Sequence, residues 1–216
     1  MVLAAGRGER LRPLTDDTPK PLLRAGGKPL IVWLLEALKR GGVEEVAINT
    51  SWLAPQLHAA LADSAALGLQ LHWFDEGPEP LGTAGGIINA LAVFGSEPFA
   101  VVNGDVWTDA PLPLAPPPAG SLARLLLVPN PPHNAHGDFG IECGELRLEG
   151  PHRYTFAGIA SYQPRLFAGL APGPRALKPV LDRAIHAGLV CGEVYRGRWT
   201  DVGTAERLTA LNAALK

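Results

Sequence analysis

Cysteine is nearly absent: Cys143 and Cys191 are the only two in 216 residues. Two are too few for a disulfide scaffold, and they carry no CxxC spacing, so a reduced, cytoplasmic protein is expected. Long apolar runs are also missing. No stretch approaches the roughly 18–20 residues that a membrane-spanning helix needs. Glycine and charge arrive within MVLAAGRGER, too early for a signal peptide. Nor does one sign of charge prevail. The 19 Lys and Arg against 21 Asp and Glu leave a net charge of −2, which argues against nucleic-acid binding by bulk positive charge. No internal repeat is visible, and the absence of a hexapeptide repeat disfavours an enzyme that needs a left-handed β-helix domain.

What the chain does have is 47% hydrophobic residues, enough to bury a core in a single domain spanning residues 1–216. Short β-like runs alternate with helical stretches through the first half. Met1–Ala5 reads as a strand entering a glycine loop. Pro29–Arg40 reads as a helix stopped by Gly41 and Gly42. Val46–Asn49 (strand), Ala54–Ala66 (helix), Leu69–Phe74 (strand), Gly86–Phe94 (helix) and the apolar strand Phe99–Asn103 follow. This alternation implies a parallel sheet with right-handed crossovers. Ala110–Ser121, with five prolines, suits neither a helix nor a central strand. Beyond it, Leu122–Val128, Phe139–Glu142, Glu145–Leu148 and Thr155–Tyr162 read as antiparallel additions. A helix at Leu177–Ala187, a strand at Glu193–Tyr195 and a helix at Thr204–Leu215 close the pattern.

The chemistry begins at LAAGRGERLRPLT (Leu3 to Thr15) and PKPLL (Pro19 to Leu23). A glycine-rich backbone directly after a strand can offer N–H groups to a phosphate chain. A dinucleotide fingerprint would need a small residue where Leu11 stands, and a P-loop would need Ser or Thr where Pro29 follows Lys28. A nucleoside-triphosphate loop charged by Arg10 and Lys20 remains, beside a plain βα turn with solvated arginines.

The string LAAGRGERLRPLTDDTPKPLL resembles the signature of the sugar-phosphate nucleotidyltransferases, the nucleoside-diphosphate-sugar pyrophosphorylases, and VNGDVWTD and GEVYRGRWTDVGTAERL extend the resemblance along the chain. The resemblance implies a three-layer, Rossmann-like α/β fold with a mixed, mainly parallel sheet. Family chains usually carry a few more residues ahead of the first strand, so that strand is expected to be short here.

Asn103-Gly104-Asp105 ends the strand FAVV, where open parallel sheets bind ligands. Asp201 in WTDVGT supplies a second carboxylate. Together, Asp105 and Asp201 can hold one Mg²⁺ against triphosphate oxygens, because hard cations take oxygen ligands; turn aspartates are the bland alternative. The resemblance assigns Leu3, Ala4, Ala5, Gly6 and Gly8 to nucleotide binding, with the Gly6–Gly8 backbone on the phosphates. It assigns Gly82, Thr83, Gly85 and Gly86 of LGTAGGI to the nucleoside, with Thr83 also a candidate helix cap. Arg10, Lys20 and Asp105 are the expected catalytic residues. Asn103, Trp199 and Lys178 are candidates for the sugar side. His133 and His136 lack further ligands to complete a metal set.

The implied reaction transfers a uridylyl group from UTP to a sugar-1-phosphate, with N-acetylmuramic acid α-1-phosphate the favoured acceptor and peptidoglycan recycling the setting. Guanylyl transfer to mannose-1-phosphate is the alternative, and a catalytically silent nucleotide-sugar sensor a remote one. A monomer acting on small molecules, with neither nucleic acid nor membrane as partner, is expected.

Overall fold

The computed structural model describes residues 1–63 and 67–216. In chain order the strands and α-helices are β1 (Val2–Leu3), β2 (Arg24–Ala25), β3 (Lys28–Pro29), α1 (Leu30–Arg40), β4 (Glu45–Thr50), α2 (Ala54–Ala60), β5 (Gln70–Asp75), α3 (Gly82–Phe94), β6 (Phe99–Asn103), β7 (Val106–Thr108), β8 (Ala123–Val128), β9 (Phe139–Glu142), β10 (Glu145–Arg147), β11 (Arg153–Tyr162), α4 (Lys178–His186), β12 (Val190–Val194), β13 (Trp199–Asp201) and α5 (Ala205–Ala214). The chain divides into two compact units, each gathered from separated segments. Among the described residues, no helix is long and apolar enough to cross a membrane.

The first unit comprises Met1–Leu81, Val102–Pro113 and Trp199–Lys216. Its parallel ladder follows the expected strand–helix alternation. β1 pairs with β4 on one side and with the end of β6 on the other, and β4 pairs with β5. Val46 to Thr50 are all buried, as a strand covered on both faces should be. α1 buries Leu30, Ile31, Leu34, Leu35 and Leu38, the single apolar stripe of an amphipathic helix. Two antiparallel ribbons complete the unit: β2 with β3, and β7 with β13. An apolar cluster of Leu11, Leu23, Ala25, Leu30, Trp107, Val202 and Leu211 links the glycine loop, the PKPLL segment, β7 and α5.

The second unit comprises Gly82–Val101 and Leu114–Arg198. Here β8 pairs antiparallel with β11 and parallel with β12, while β9 pairs antiparallel with both β10 and β11. The mixed character expected of the sheet follows from these ladders. Phe94 stacks on Phe99 at 4.1 Å, and Tyr162 meets Phe167 edge-on at 5.6 Å. Burial drives the Tyr162 hydroxyl well above its ordinary pKa, because the phenolate would lose its hydration.

Most sequence-based elements stand within a residue or two. Three differences matter. α3 starts at Gly82 rather than Gly86, so the glycine-rich stretch is its first turn. α2 ends at Ala60, and the end expected for it, at residues 64–66, lies outside the described residues. The short ribbons β2–β3 and β7–β13 were not foreseen. Ala110–Ser121 holds neither helix nor strand, as its prolines dictate.

Leu30 is fully buried in the apolar cluster. Leu30→Ala should lower unfolding free energy by about 2–5 kcal/mol through lost transfer energy and a cavity. A urea midpoint unchanged from wild type would contradict that packing.

Candidate active site

The glycine loop is held from beneath. As the chain leaves β1, the Ala4 amide donates to Asn49 Oδ1 at 2.8 Å. Asn49 is a buried polar residue on β4, and its amide donates to Glu76 Oε1 at 2.7 Å. Glu76 Oε2 accepts the Leu81 amide at 2.6 Å. A buried amide side chain is stable only when so satisfied. At the tip, Gly8 has a φ of +67°, which glycine adopts without steric cost. Its carbonyl accepts the buried Thr15 hydroxyl at 2.9 Å and the Leu11 amide at 2.8 Å. Leu11 then enters the apolar cluster while Arg10 stays exposed.

Lys20 starts a 3-10 turn whose Pro21 is buried, and Leu23 just beyond enters the apolar cluster. Its ammonium lies 2.5 Å from Asp105 Oδ2. Asp105 sits in the turn between β6 and β7, and the Gly104 amide before it donates to the Leu3 carbonyl at 2.8 Å. The β7–β13 ribbon places Asp201 opposite Val106, and the Val202 amide donates to the Asp105 carbonyl at 2.8 Å. The two aspartates of the sequence reading are therefore neighbours in the backbone. Asp201 in turn receives Arg207 Nη1 on both oxygens, at 2.6 and 2.7 Å. Arg207 stands in the first turn of α5, whose cap Thr204 accepts the Arg207 amide.

A cavity of about 500 Å³ is lined by Arg7, Gly8, Glu9, Arg10, Lys20, Pro80 and Gly203. Three cationic side chains against one carboxylate suit a ligand bearing several negative charges. Arg7 also donates to the Pro78 carbonyl at 2.6 Å and lies 5.9 Å over the Trp52 ring.

The donor set fits a hard divalent cation. Asp105 and Asp201 stand on paired backbone segments, and no group of three or more potential ligands occurs among the described residues. The remaining positions would fall to water and substrate oxygens, as Mg²⁺ prefers.

The other expected residues fall as follows. Leu3 is half-buried, Ala4 and Ala5 are buried, and Gly6 is exposed at the loop. Asn103 ends β6 opposite Leu3, and Trp199 opens β13 opposite Thr108. Gly82, Thr83, Gly85 and Gly86 lie in the first turns of α3, in the second unit, with Thr83 inside the helix rather than capping it. The amides of Ala84 and Gly85 are engaged by the Arg175 carbonyl at 3.1 and 3.2 Å. Lys178 is exposed on α4, paired with Asp182 at 2.7 Å. Sequence reasoning missed Arg207, Asn49, Glu76 and Arg7. Arg207 had one visible signal, a cation in the first helical turn after DVGT. The Asn49–Glu76 pair had none, since Asn49 reads as a polar strand end.

The nucleotidyl transferase family model matches residues 1–141. The chain is 46% identical to an N-acetylmuramate alpha-1-phosphate uridylyltransferase from Neisseria meningitidis, covering 99% of this chain and 96% of that one. A second protein of that description, from Caulobacter vibrioides, is 32% identical over 100% of this chain and 96% of its own. A mannose-1-phosphate guanylyltransferase from Mycobacterium tuberculosis is 41% identical over 52% of this chain and 31% of its own. A crystal structure of a Bacillus anthracis protein in complex with sucrose superposes with a TM-score of 0.84 at 22% identity, covering 99% of this chain and 93% of that one.

A methyl group at Gly8 would sit 2.9 Å from Thr15 Cγ2 and require a φ of +67°. Gly8→Ala should cost at least about 1–2 kcal/mol from left-handed backbone alone, and should weaken nucleotide binding further as the loop shifts. Wild-type stability and nucleotide affinity in this variant would show that the loop tolerates a side chain there.

Proposed function

The chain belongs to the nucleotidyl transferase family, and we infer from its site that it transfers a uridylyl group from UTP to a sugar-1-phosphate, N-acetylmuramic acid α-1-phosphate first among the candidates, releasing UDP-sugar and pyrophosphate. The observation that carries this reading is the cationic cavity formed by the glycine loop, Arg10 and Lys20, in a chain similar end to end to two uridylyltransferases. Similarity to the guanylyltransferase covers only about half of the chain, which favours UTP over GTP.

An oxygen of the sugar phosphate forms a bond to the α-phosphorus of UTP. The bond from that phosphorus to the bridging oxygen breaks, and pyrophosphate leaves with the electron pair. The attacking phosphate is already ionised near pH 7, so no general base is needed. Alignment and charge neutralisation then carry the catalysis. Arg10 and the Gly6–Gly8 backbone hold the β- and γ-phosphates, and Lys20 balances charge rising at the α-phosphate. A Mg²⁺ ion held by Asp105 and Asp201 would supply further neutralisation of phosphate oxygens when bound. The nucleoside roles of Gly82, Thr83, Gly85 and Gly86, and the sugar-side roles of Asn103, Trp199 and Lys178, belong to the same proposal. So does its setting: a cytoplasmic monomer in cell-wall sugar recycling.

A pyrophosphate-release screen of UTP, GTP, CTP and dTTP crossed with sugar-1-phosphates tests the reading directly. The highest kcat/KM should fall on UTP with N-acetylmuramic acid α-1-phosphate; a maximum on GTP with mannose-1-phosphate would transfer the case to guanylyl transfer. Asp105→Asn and Asp201→Asn should each cost several kcal/mol of transition-state stabilisation, and EDTA should abolish turnover. Full rates in EDTA would remove the cation from the scheme. Lys20→Ala should chiefly lower kcat, whereas Arg10→Ala should also raise the KM for UTP, because it acts in ground and transition states alike. Equal, purely KM effects would overturn that division of roles.

A further inference from the structure

Both carboxylates proposed to take the cation already hold counter-ions from this chain. Lys20 is on Asp105 at 2.5 Å, and Arg207 spans both oxygens of Asp201 at 2.6 and 2.7 Å. All four side chains are sheltered, between 12% and 27% exposed. Two negative charges meet two positive ones, so a dication approaching this set finds no net attraction. It would also have to displace charge-assisted hydrogen bonds, the stronger kind.

Gly203 makes the Arg207 arrangement possible. A methyl group there would lie 2.0 Å from Arg207 Nη2 and 3.4 Å from Arg10 Nη2. Its φ is not in the left-handed region, so glycine is required for space. Gly203 lines the cavity with Arg10 and Lys20, so the Arg207 guanidinium packs against a residue of the cavity lining.

We propose that Arg207 is a positioning residue that, with Lys20, keeps the two aspartates closed to divalent cations until a polyphosphate draws the two cations away. The metal then binds only together with the nucleotide. This rests on the uridylyl-transfer reading for the identity of the polyphosphate, while the closed state is a property of the nucleotide-free protein and is tested there.

The test is Mn²⁺ binding to the full chain without nucleotide, read by the loss of the free Mn²⁺ electron paramagnetic resonance signal. Arg207→Met should tighten Mn²⁺ binding by at least about tenfold relative to wild type, equivalent to about 1.4 kcal/mol. Adding Asp201→Asn to that variant should abolish the gain. Arg207→Lys, which keeps the charge, should return affinity toward the wild-type value. Gly203→Ala should give a smaller gain, because it crowds only the far end of a flexible side chain and leaves the fold intact. Mn²⁺ binding to wild type as tight as to Arg207→Met, or a gain that survives Asp201→Asn, would overturn the proposal. Pyrophosphate release by wild type from UTP and a sugar-1-phosphate is measured in parallel. Its absence would sink the uridylyl-transfer reading and leave the Mn²⁺ comparison standing.

Discussion

The pairing of β7 with β13 is the interaction on which the site depends. Each strand is three residues long, and neither would persist alone. Together they bring Asp201 alongside Asp105, with one backbone hydrogen bond from Val202 to the Asp105 carbonyl. What holds the ribbon is apolar rather than polar. Trp107 on β7 and Val202 just past β13 both enter the cluster that also receives Leu11 from the glycine loop and Leu23 from the segment after Lys20. Arg10 and Asp201 are thus each displayed beside a side chain, Leu11 or Val202, that is buried in one place. Alternation along strand and turn turns burial of one residue into presentation of the next.

That arrangement brings two acidic residues onto paired backbone segments. The chain gives each carboxylate its own counter-ion, Lys20 for Asp105 and Arg207 for Asp201. Paired, sheltered charges of this kind contribute little to stability, because desolvation offsets attraction. Their value lies in geometry: Arg207 takes both oxygens of Asp201 and so fixes the carboxylate plane. On the other side of the loop, Asn49 and Glu76 perform the equivalent service for backbone amides, fixing Ala4 and Leu81.

Much of this was legible in the sequence, for identifiable reasons. β6 lies where its apolar, β-branched run predicted, and α1 differs by one residue, because both signals are long and unmixed. The glycine loop, Lys20 and the two aspartates stood out because the strings around them resemble a family signature; spacing alone left a plain turn equally open. The β7–β13 ribbon was not, since three residues carry no periodicity, and its partner lies far along the chain. α3 was started too late because glycines argue against a helix by propensity, although Ala84, Gly85 and Gly86 are all buried there. Arg207 could be seen as a helix-start cation, but only the folded chain shows which carboxylate it grips.

The first unit is closed by a segment distant in sequence, Trp199–Lys216, which delivers β13, Asp201, Gly203, Arg207 and Leu211. A nascent polypeptide emerging from the ribosome can form the β1–β4–β5 ladder early, since all three strands precede Glu76. It cannot complete the aspartate pair or its apolar support until β13 and α5 have left the exit tunnel as well. Until then Trp107 and Leu23 lack part of their cover, and the first unit waits on that distant segment for its final packing.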